Sequence, residues 1–240
     1  PGVIYDNNLS NIMSVDESKV TEQVTYAWYK DHEKGDHPFD QDTIPDLERK
    51  DAYTFIKAPR YDGKPIEVGP LARMLVKQPK GLMEIIAKYN MKPGVVARHA
   101  ARAYEAMILS KDMLNWLDDL EREMVKGLRI HDTDHWNPPY AAQGIGLTEV
   151  PRGALGHWIK IKDHVTENYQ MVVPTTWLFS PKDAQGQLGP MEKSLIGVPV
   201  PDEDNPINIV RVVRSYNPCL ACAVHLIDPQ TNEIRKFRIV

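Results

Sequence analysis

The chain has 240 residues, enough to bury a substantial core, and its 42% hydrophobic and 26% charged content is that of a globular protein. A formal net charge of −4 is too small to favour nucleic acid or an anionic membrane surface as a partner. No apolar run reaches the roughly 18 residues of a membrane span, no basic region with an apolar stretch opens the chain, and two cysteines three apart do not form a dispersed disulfide framework.

Residues 1–55 are rich in Asp, Asn, Lys and Pro around one aromatic stretch, Val24 to Lys30, and read as an extended, irregular wrap over a larger body. The pattern changes at Pro70. Leu71, Met74 and Leu75, then Leu82, Ile85 and Ile86, recur at helical spacing on either side of a break at Gln78-Pro79-Lys80-Gly81. Pro93-Gly94 then opens a run that lacks Gly and Pro until Gly127. Val96, Ala100, Ala103, Met107, Leu114, Leu117, Leu120 and Met124 make this run the clearest amphipathic helix, expected as a core helix of a bundle with that face buried. His99, on the same helix, is expected to pack or hydrogen-bond rather than to ligate a metal.

His131-Asp132-Thr133-Asp134-His135 alternates two metal-ligand types, but Asn137-Pro138-Pro139-Tyr140 follows and favours a solvated loop. Trp158 to Lys162 and Tyr169 to Val173 alternate or run β-branched around a polar turn, which predicts a hairpin. Helices are expected again over 190–196 and 206–215. The fold class is mainly α with a small β component (α+β), a helical bundle core with a β-hairpin.

The last helix leads into Asn217-Pro218-Cys219-Leu220-Ala221-Cys222-Ala223-Val224-His225. Two thiols and an imidazole within seven residues suit nickel, zinc, copper or iron better than calcium or magnesium. The same spacing serves thiol redox pairs and zinc knuckles, whereas c-type haem attachment needs histidine directly after the second cysteine. With no second C-x-x-C to complete a zinc ribbon, any metal here takes further ligands from elsewhere. These residues alone also allow a zinc-stabilised interaction module on Cys219, Cys222 and His225.

The motif closely resembles the carboxy-terminal metal-binding motif of the large, catalytic subunit of nickel-iron hydrogenases, usually Asp-Pro-Cys-x-x-Cys-x-x-His. Ala58-Pro59-Arg60-Tyr61, the Glu67 to Arg73 segment (EVGPLAR), the Glu149 to Trp158 segment (EVPRGALGHW) and Val172-Val173-Pro174-Thr175-Thr176-Trp177 resemble that family in order and spacing, so the likeness covers the chain almost end to end. It implies heterolytic hydrogen oxidation or proton reduction at a Ni-Fe centre whose iron carries cyanide and carbon monoxide, with electrons passed to an iron-sulfur small subunit.

By the family's pattern Cys219 is the terminal nickel ligand and Cys222 the nickel-iron bridge, while a second C-x-x-C in an amino-terminal half supplies the other two thiolates. No cysteine precedes Cys219, and Pro1 leads directly into a family-like segment. Residues 1–225 therefore read as the carboxy-terminal portion of the large subunit: a wrapping segment (1–55), a helical part (70–127) and an active-site segment (150–225). The resemblance places Pro151, Arg152, Pro174 and Thr175 around the metal pocket, with Arg152 over the open metal position and Thr175 offering a hydroxyl and an amide to a cyanide nitrogen.

Two positions depart from the family. Asn217 stands where an Asp usually pairs with the arginine, able to accept a hydrogen bond from Arg152 but without charge, and Leu178 follows the Trp where many members carry a polar residue. The resemblance further implies a magnesium ion at His225, helped by the main-chain carbonyl of Met171 and a carboxylate of the other half. Residues 226–240, with a partly alternating end that could pair as a strand, resemble a maturation extension removed by an endopeptidase. By analogy with uptake-type enzymes the location is the periplasmic side of the cell membrane. A quinone-reductase-type relative shares the ancestry but has lost the nickel thiolates, and retention of both cysteines and Arg152 speaks against it.

Overall fold

The structure, a computed structural model, describes residues 2–32, 35–127 and 137–219, together with the backbone of 225–227 and 234–236. The expected loop at 131–135 lies outside the described residues, as does Cys222. Two short antiparallel pairings anchor the amino-terminal segment: β1 (Gly2–Ile4) with β2 (Ile12–Ser14), and β3 (Val20–Gln23) with β4 (Ala58–Tyr61). Between β3 and β4 the chain is irregular except for a short 3-10 turn, Pro38–Asp40, and isolated bridges. Val20, Val24 and Ala27 are buried, so this segment packs into the main body.

Pro70 starts α1 (Pro70–Lys77), where its fixed φ and missing N–H are harmless, and Gln78, in the left-handed region at φ 48°, ends it. A second short helix, α2 (Lys80–Lys88), follows the expected break. The long run forms α3 (Val95–Val125), 31 residues and therefore about 46 Å long. Its first half lies on α1 and α2 through Ala97 and Ala101, buried against Leu71, Met74 and Leu82. Small alanines allow the close approach.

That contact corrects one expectation. The face bearing Val96, Met107, Leu114, Leu117, Leu120 and Met124 was expected to be buried, and all six are exposed. The hydrophobic pattern identified the helix correctly but not which side this chain covers, because the covering face is built from alanine, Tyr104 and Ile108, with weaker apolar contrast.

The expected hairpin is present as β6 (Gly153–Lys162) and β7 (Val165–Val172), with Trp158 opposite Gln170. A preceding strand that the sequence did not signal, β5 (Ala141–Val150), pairs with the whole of β6 and makes a three-stranded antiparallel sheet in the order β5-β6-β7. Gly144 and Gly146 dilute its β pattern and it is mostly exposed, hence the missing signal. Three short helices follow: α4 (Pro174–Leu178), α5 (Pro190–Leu195) and α6 (Ile207–Ser215). Beyond them β8 (His225–Ile227) pairs antiparallel with β9 (Ile234–Lys236), in line with the strand tendency of the tail. The architecture is α+β. Its main core gathers Val20, Tyr61, Val68, Trp158, Val172, Trp177, Leu178, Val212 and Tyr216 from almost every element.

Arg60 on β4 ties the segment after α4 to this core. Its side chain is wholly buried and uses Nε on Asp183 Oδ2 at 2.6 Å, Nη1 on the Pro59 carbonyl and Ser180 Oγ, and Nη2 on the Pro181 and Gln187 carbonyls. All three guanidinium nitrogens donate, as a buried arginine requires. Asp183 Oδ1 in turn accepts from the Gln185 and Gln187 amides. Removing one partner of such a pair leaves a buried charge uncompensated, so Asp183→Ala is expected to lower unfolding stability by about 3–5 kcal/mol in urea titrations, with Arg60→Lys failing to reproduce the wild-type stability.

Candidate functional site

Pro151 and Arg152 form the two-residue turn between β5 and β6, closed by the pairing of Val150 with Gly153. Gly153 sits at φ 144°, and a Cβ there would meet the Gly69 nitrogen at 2.9 Å and the Val68 side chain at 2.6 Å. Gly69, at φ 112°, is held equally tightly, since a Cβ on it would lie 2.9 Å from the Arg152 carbonyl oxygen. The Val68-Gly69 backbone and the hairpin turn therefore interlock, and only glycine fits at either position.

Arg73, one turn into α1, fixes the turn from its other side. Its guanidinium grips Glu105 of α3 bidentately at 2.6 and 2.7 Å, donates to Glu149 at 2.7 Å, and reaches the main-chain carbonyls of Val150 and Pro151 at 2.9 and 3.1 Å. Burial pulls this arginine down, but Glu105 and Glu149 outweigh it and the pKa is raised.

The other arm of the site comes from α6. Arg98 of α3 holds Glu67 bidentately at 2.7 and 2.9 Å, donates to Ser215 Oγ at 3.2 Å and the Tyr216 hydroxyl at 2.6 Å, and stacks its guanidinium 3.7 Å over the Tyr216 ring. Arg102, one turn further on, donates to the Ser215 carbonyl at 2.8 Å. A small cleft between α1, α3 and α6 is lined by these same groups. Just past this clamp Asn217 takes the left-handed conformation, φ 55°, with its amide on the Arg214 carbonyl at 2.9 Å. Asparagine is among the few residues that adopt it readily, so Asn217 ends α6 and turns the chain toward Pro218-Cys219.

The two arms then meet. Arg152 Nε donates to the Asn217 carbonyl at 3.0 Å, and the Cys219 amide donates to Thr175 Oγ1 at 3.4 Å. Thr175 is buried in the first turn of α4, which starts at Pro174 where a missing N–H costs nothing. Arg152, Pro174, Thr175, Asn217 and Cys219 are thus brought together from the hairpin turn, α4 and the end of α6. The Arg152–Asn217 contact uses the main chain rather than the side-chain amide expected from sequence. Leu178 is buried in the core, and a polar residue there would need its own partner.

Met171 lies on β7 opposite His157, three residues before Pro174, with its side chain half exposed. The His225 side chain is outside the described residues. Among the described residues no three His, Cys, Asp or Glu side chains converge as a metal site. His99 hydrogen-bonds with Arg102 at the surface.

Sequence reasoning missed Arg73, Arg98, Arg102 and Glu67. The available signal was three arginines on helices otherwise bearing an apolar face.

It also missed a buried polar cluster beneath the sheet. Lys57 Nζ donates to Gln41 and Thr43 at 2.8 Å and to Gln170 at 3.3 Å, and it stands 3.5 Å from Glu22. Among the described residues Glu22 Oε2 has no hydrogen-bond partner. Burial pushes the Glu22 carboxyl up to about 7 although Lys57 pulls the other way.

Comparison with known proteins gives the family of the chain. Residues 1–225 match the family described as nickel-dependent hydrogenase. The uptake hydrogenase large subunit of Bradyrhizobium diazoefficiens is 37% identical over 99% of this chain and 46% of its own length. The periplasmic NiFeSe hydrogenase large subunit of Desulfomicrobium baculatum is 40% identical over 97% of this chain and 47% of its own length, and a high-resolution structure of a Dm. baculatum NiFeSe hydrogenase superimposes on 94% of this chain with a TM-score of 0.79. A quinone-reactive Ni/Fe-hydrogenase large chain from Wolinella succinogenes is 33% identical. The chain spans about half the length of these curated relatives.

The buried acid yields a pH signature of the chain itself. With a folded pKa of about 7 against an ordinary 4.5, Glu22 favours the folded state fully below pH ~4.5 and loses that contribution as pH rises through 7. Thermal unfolding between pH 5 and pH 8 is expected to show stability falling by on the order of 2 kcal/mol more in the wild type than in Glu22→Gln, whose pH slope should be flatter.

Proposed function

We propose, for a chain that belongs to the nickel-dependent hydrogenase family, that it forms the carboxy-terminal portion of a hydrogenase large subunit and carries one side of the metal centre that oxidises dihydrogen. The observation that carries this reading is the meeting of Arg152, Thr175 and Cys219 at the junction of the hairpin turn, α4 and α6. In it Cys219 and Cys222 hold the metals together with two thiolates from the remainder of the large subunit. A nickel-iron pair so bound, its iron carrying cyanide and carbon monoxide, supplies heterolytic cleavage of dihydrogen.

The donor set suits such a centre. Cys219 is a free, exposed thiol at the end of a turn that is otherwise firmly held, so it is available to a soft ion without disturbing the fold. Thr175, bonded to the Cys219 amide, orients the cysteine turn, and its own amide, in the first turn of α4, is a donor for a small anion. Pro151 and Pro174 give the pocket walls without main-chain N–H groups. Arg152 spends Nε on the Asn217 carbonyl, and with no acceptor for its two Nη groups among the described residues these are available to charge developing at the site. Asn217 shapes this contact through its backbone, a role that asparagine fills as well as aspartate.

The proposal extends to a magnesium ion held by His225 and the Met171 carbonyl, to an iron-sulfur small subunit as electron partner, and to a periplasmic location at the cell membrane. Relatives described as periplasmic and quinone-reactive support the last of these. Residues 226–240 are read as the extension cut by a maturation endopeptidase. That reading is supported by the pairing of His225 with Lys236, which ties the histidine backbone to the tail.

The test is metal analysis of the chain co-expressed with the remaining half of the large subunit, the small subunit and the maturation proteins. Once the small subunit and its cluster iron have been separated, nickel and iron in equal amounts are expected in the large subunit, with neither retained by Cys219→Ser; zinc alone would favour the interaction-module reading. Arg152→Lys is expected to keep both metals and to slow hydrogen uptake by about two orders of magnitude, because a flexible ammonium does not reproduce the planar guanidinium fork.

A further inference from the structure

The small cleft between α1, α3 and α6 holds more donors than acceptors. Its lining includes Glu67, Arg98, Arg102, Ser215 and the first turn of α1. The side-chain and carbonyl acceptors there are spent: both Glu67 oxygens and Ser215 Oγ take Arg98, and the Ser215 carbonyl takes Arg102 Nη2. Donors are left over. Arg102 sets Nη1 against His99 Nδ1 at 3.2 Å, but its Nε is buried and has no hydrogen-bond partner among the described residues. At the start of α1 Gly69 provides no side-chain cap, and the Leu71 amide, with no preceding turn to bond, likewise finds no acceptor among the described residues.

Charge leaves the same remainder. Arg98 is matched by Glu67, and Arg73 by Glu105 and Glu149, whereas no carboxylate among the described residues pairs with Arg102. Glu105 lies near enough to act on Arg102, but Arg73 already holds both its oxygens. The first turn of α1 adds the positive end of a helix dipole. Unmet donors beside an unpaired cation call for an acceptor that carries negative charge. The cleft has about 200 Å³ of empty volume, below the roughly 300–1,000 Å³ of pockets for drug-sized ligands, so its occupant is an ion of a few heavy atoms and not a nucleotide. We infer that this cleft binds a small monovalent anion of the size of chloride or formate, held by Arg102 Nε and the Leu71 amide. Because Arg102 also holds the Ser215 carbonyl, the anion would tie α1, α3 and the end of α6 together and steady the turn that leads to Cys219. Nothing in the cleft depends on the metals, so the anion site stands or falls apart from the proposed function.

The test titrates the full chain with sodium formate, sodium chloride or sodium gluconate at equal ionic strength and follows the backbone amides by NMR. Formate and chloride are expected to shift the Leu71 and Ala72 amides saturably and to raise the protection of the Asn217 amide from exchange with occupancy, while gluconate, too large for the cleft, does neither. A charge-assisted bond to a buried donor is worth a factor of about ten or more, so Arg102→Gln is expected to bind formate at least tenfold more weakly. Arg122→Gln, which removes the same charge from the exposed far end of α3, is expected to bind as wild type. If Arg102→Gln loses its helicity by circular dichroism, the contrast between formate and gluconate in the wild type still decides. Shifts that do not saturate, or that gluconate produces equally, would reduce the effect to ionic screening and overturn the site. Undiminished binding by a folded Arg102→Gln would overturn it too.

Discussion

The two arms of the site converge because three arginines on two helices hold them. Arg98 and Arg102 grip the last residues of α6, and Arg73 grips the carbonyls that precede Arg152. Each is partly buried and each is matched by carboxylates or carbonyls, with Glu67, Glu105 and Glu149 supplying three negative charges. The charges cost desolvation, and bidentate geometry offsets that cost where single contacts would not. Arg102 shows the balance from the other side: burial lowers its pKa, with Arg73 and Arg98 adding to the effect against Glu105. It stays in place through the Ser215 carbonyl.

What this clamp supplies is alignment between segments far apart in the chain. Residues 67–73, 98–105, 149–153 and 215–219 meet within one small volume, and the Val68-Gly69 and Gly153 backbones touch too closely for any side chain between them. Rigid helices and a strand turn hold such alignment better than loops would. The cysteine turn is held at two described points, the Asn217 carbonyl on Arg152 and the Cys219 amide on the Thr175 hydroxyl.

Much of this was legible in the residues. Proline and glycine punctuation gave the limits of α1, α2 and α3 closely, and β-branched alternation gave β6 and β7, because these signals are local. The cysteine spacing and the ordered family-like segments pointed to the candidate site, and Arg152, Thr175, Asn217 and Cys219 do meet at one junction. The face of α3 covered by this chain was not legible, since hydrophobic contrast marks apolar stripes without saying what lies on each of them. Strand β5 escaped because two glycines dilute its pattern and its stability comes from pairing with β6. The arginine clamp and the Glu22–Lys57 cluster escaped for a different reason: charged residues far apart in sequence carry no sign that they will be buried together.

The claim that matters most is that α3 arginines hold the cysteine turn in register with the hairpin. Amide hydrogen exchange in the chain alone reads it without any metal. In Arg98→Met, protection of the Asn217 and Cys219 amides should fall at least tenfold while the β6-β7 ladder exchanges as in wild type. Unchanged protection at those two amides would contradict the hold of Arg98 on the turn, and the alignment would then rest on Arg102, on the Arg152–Asn217 bond and on the Gly69–Gly153 contact.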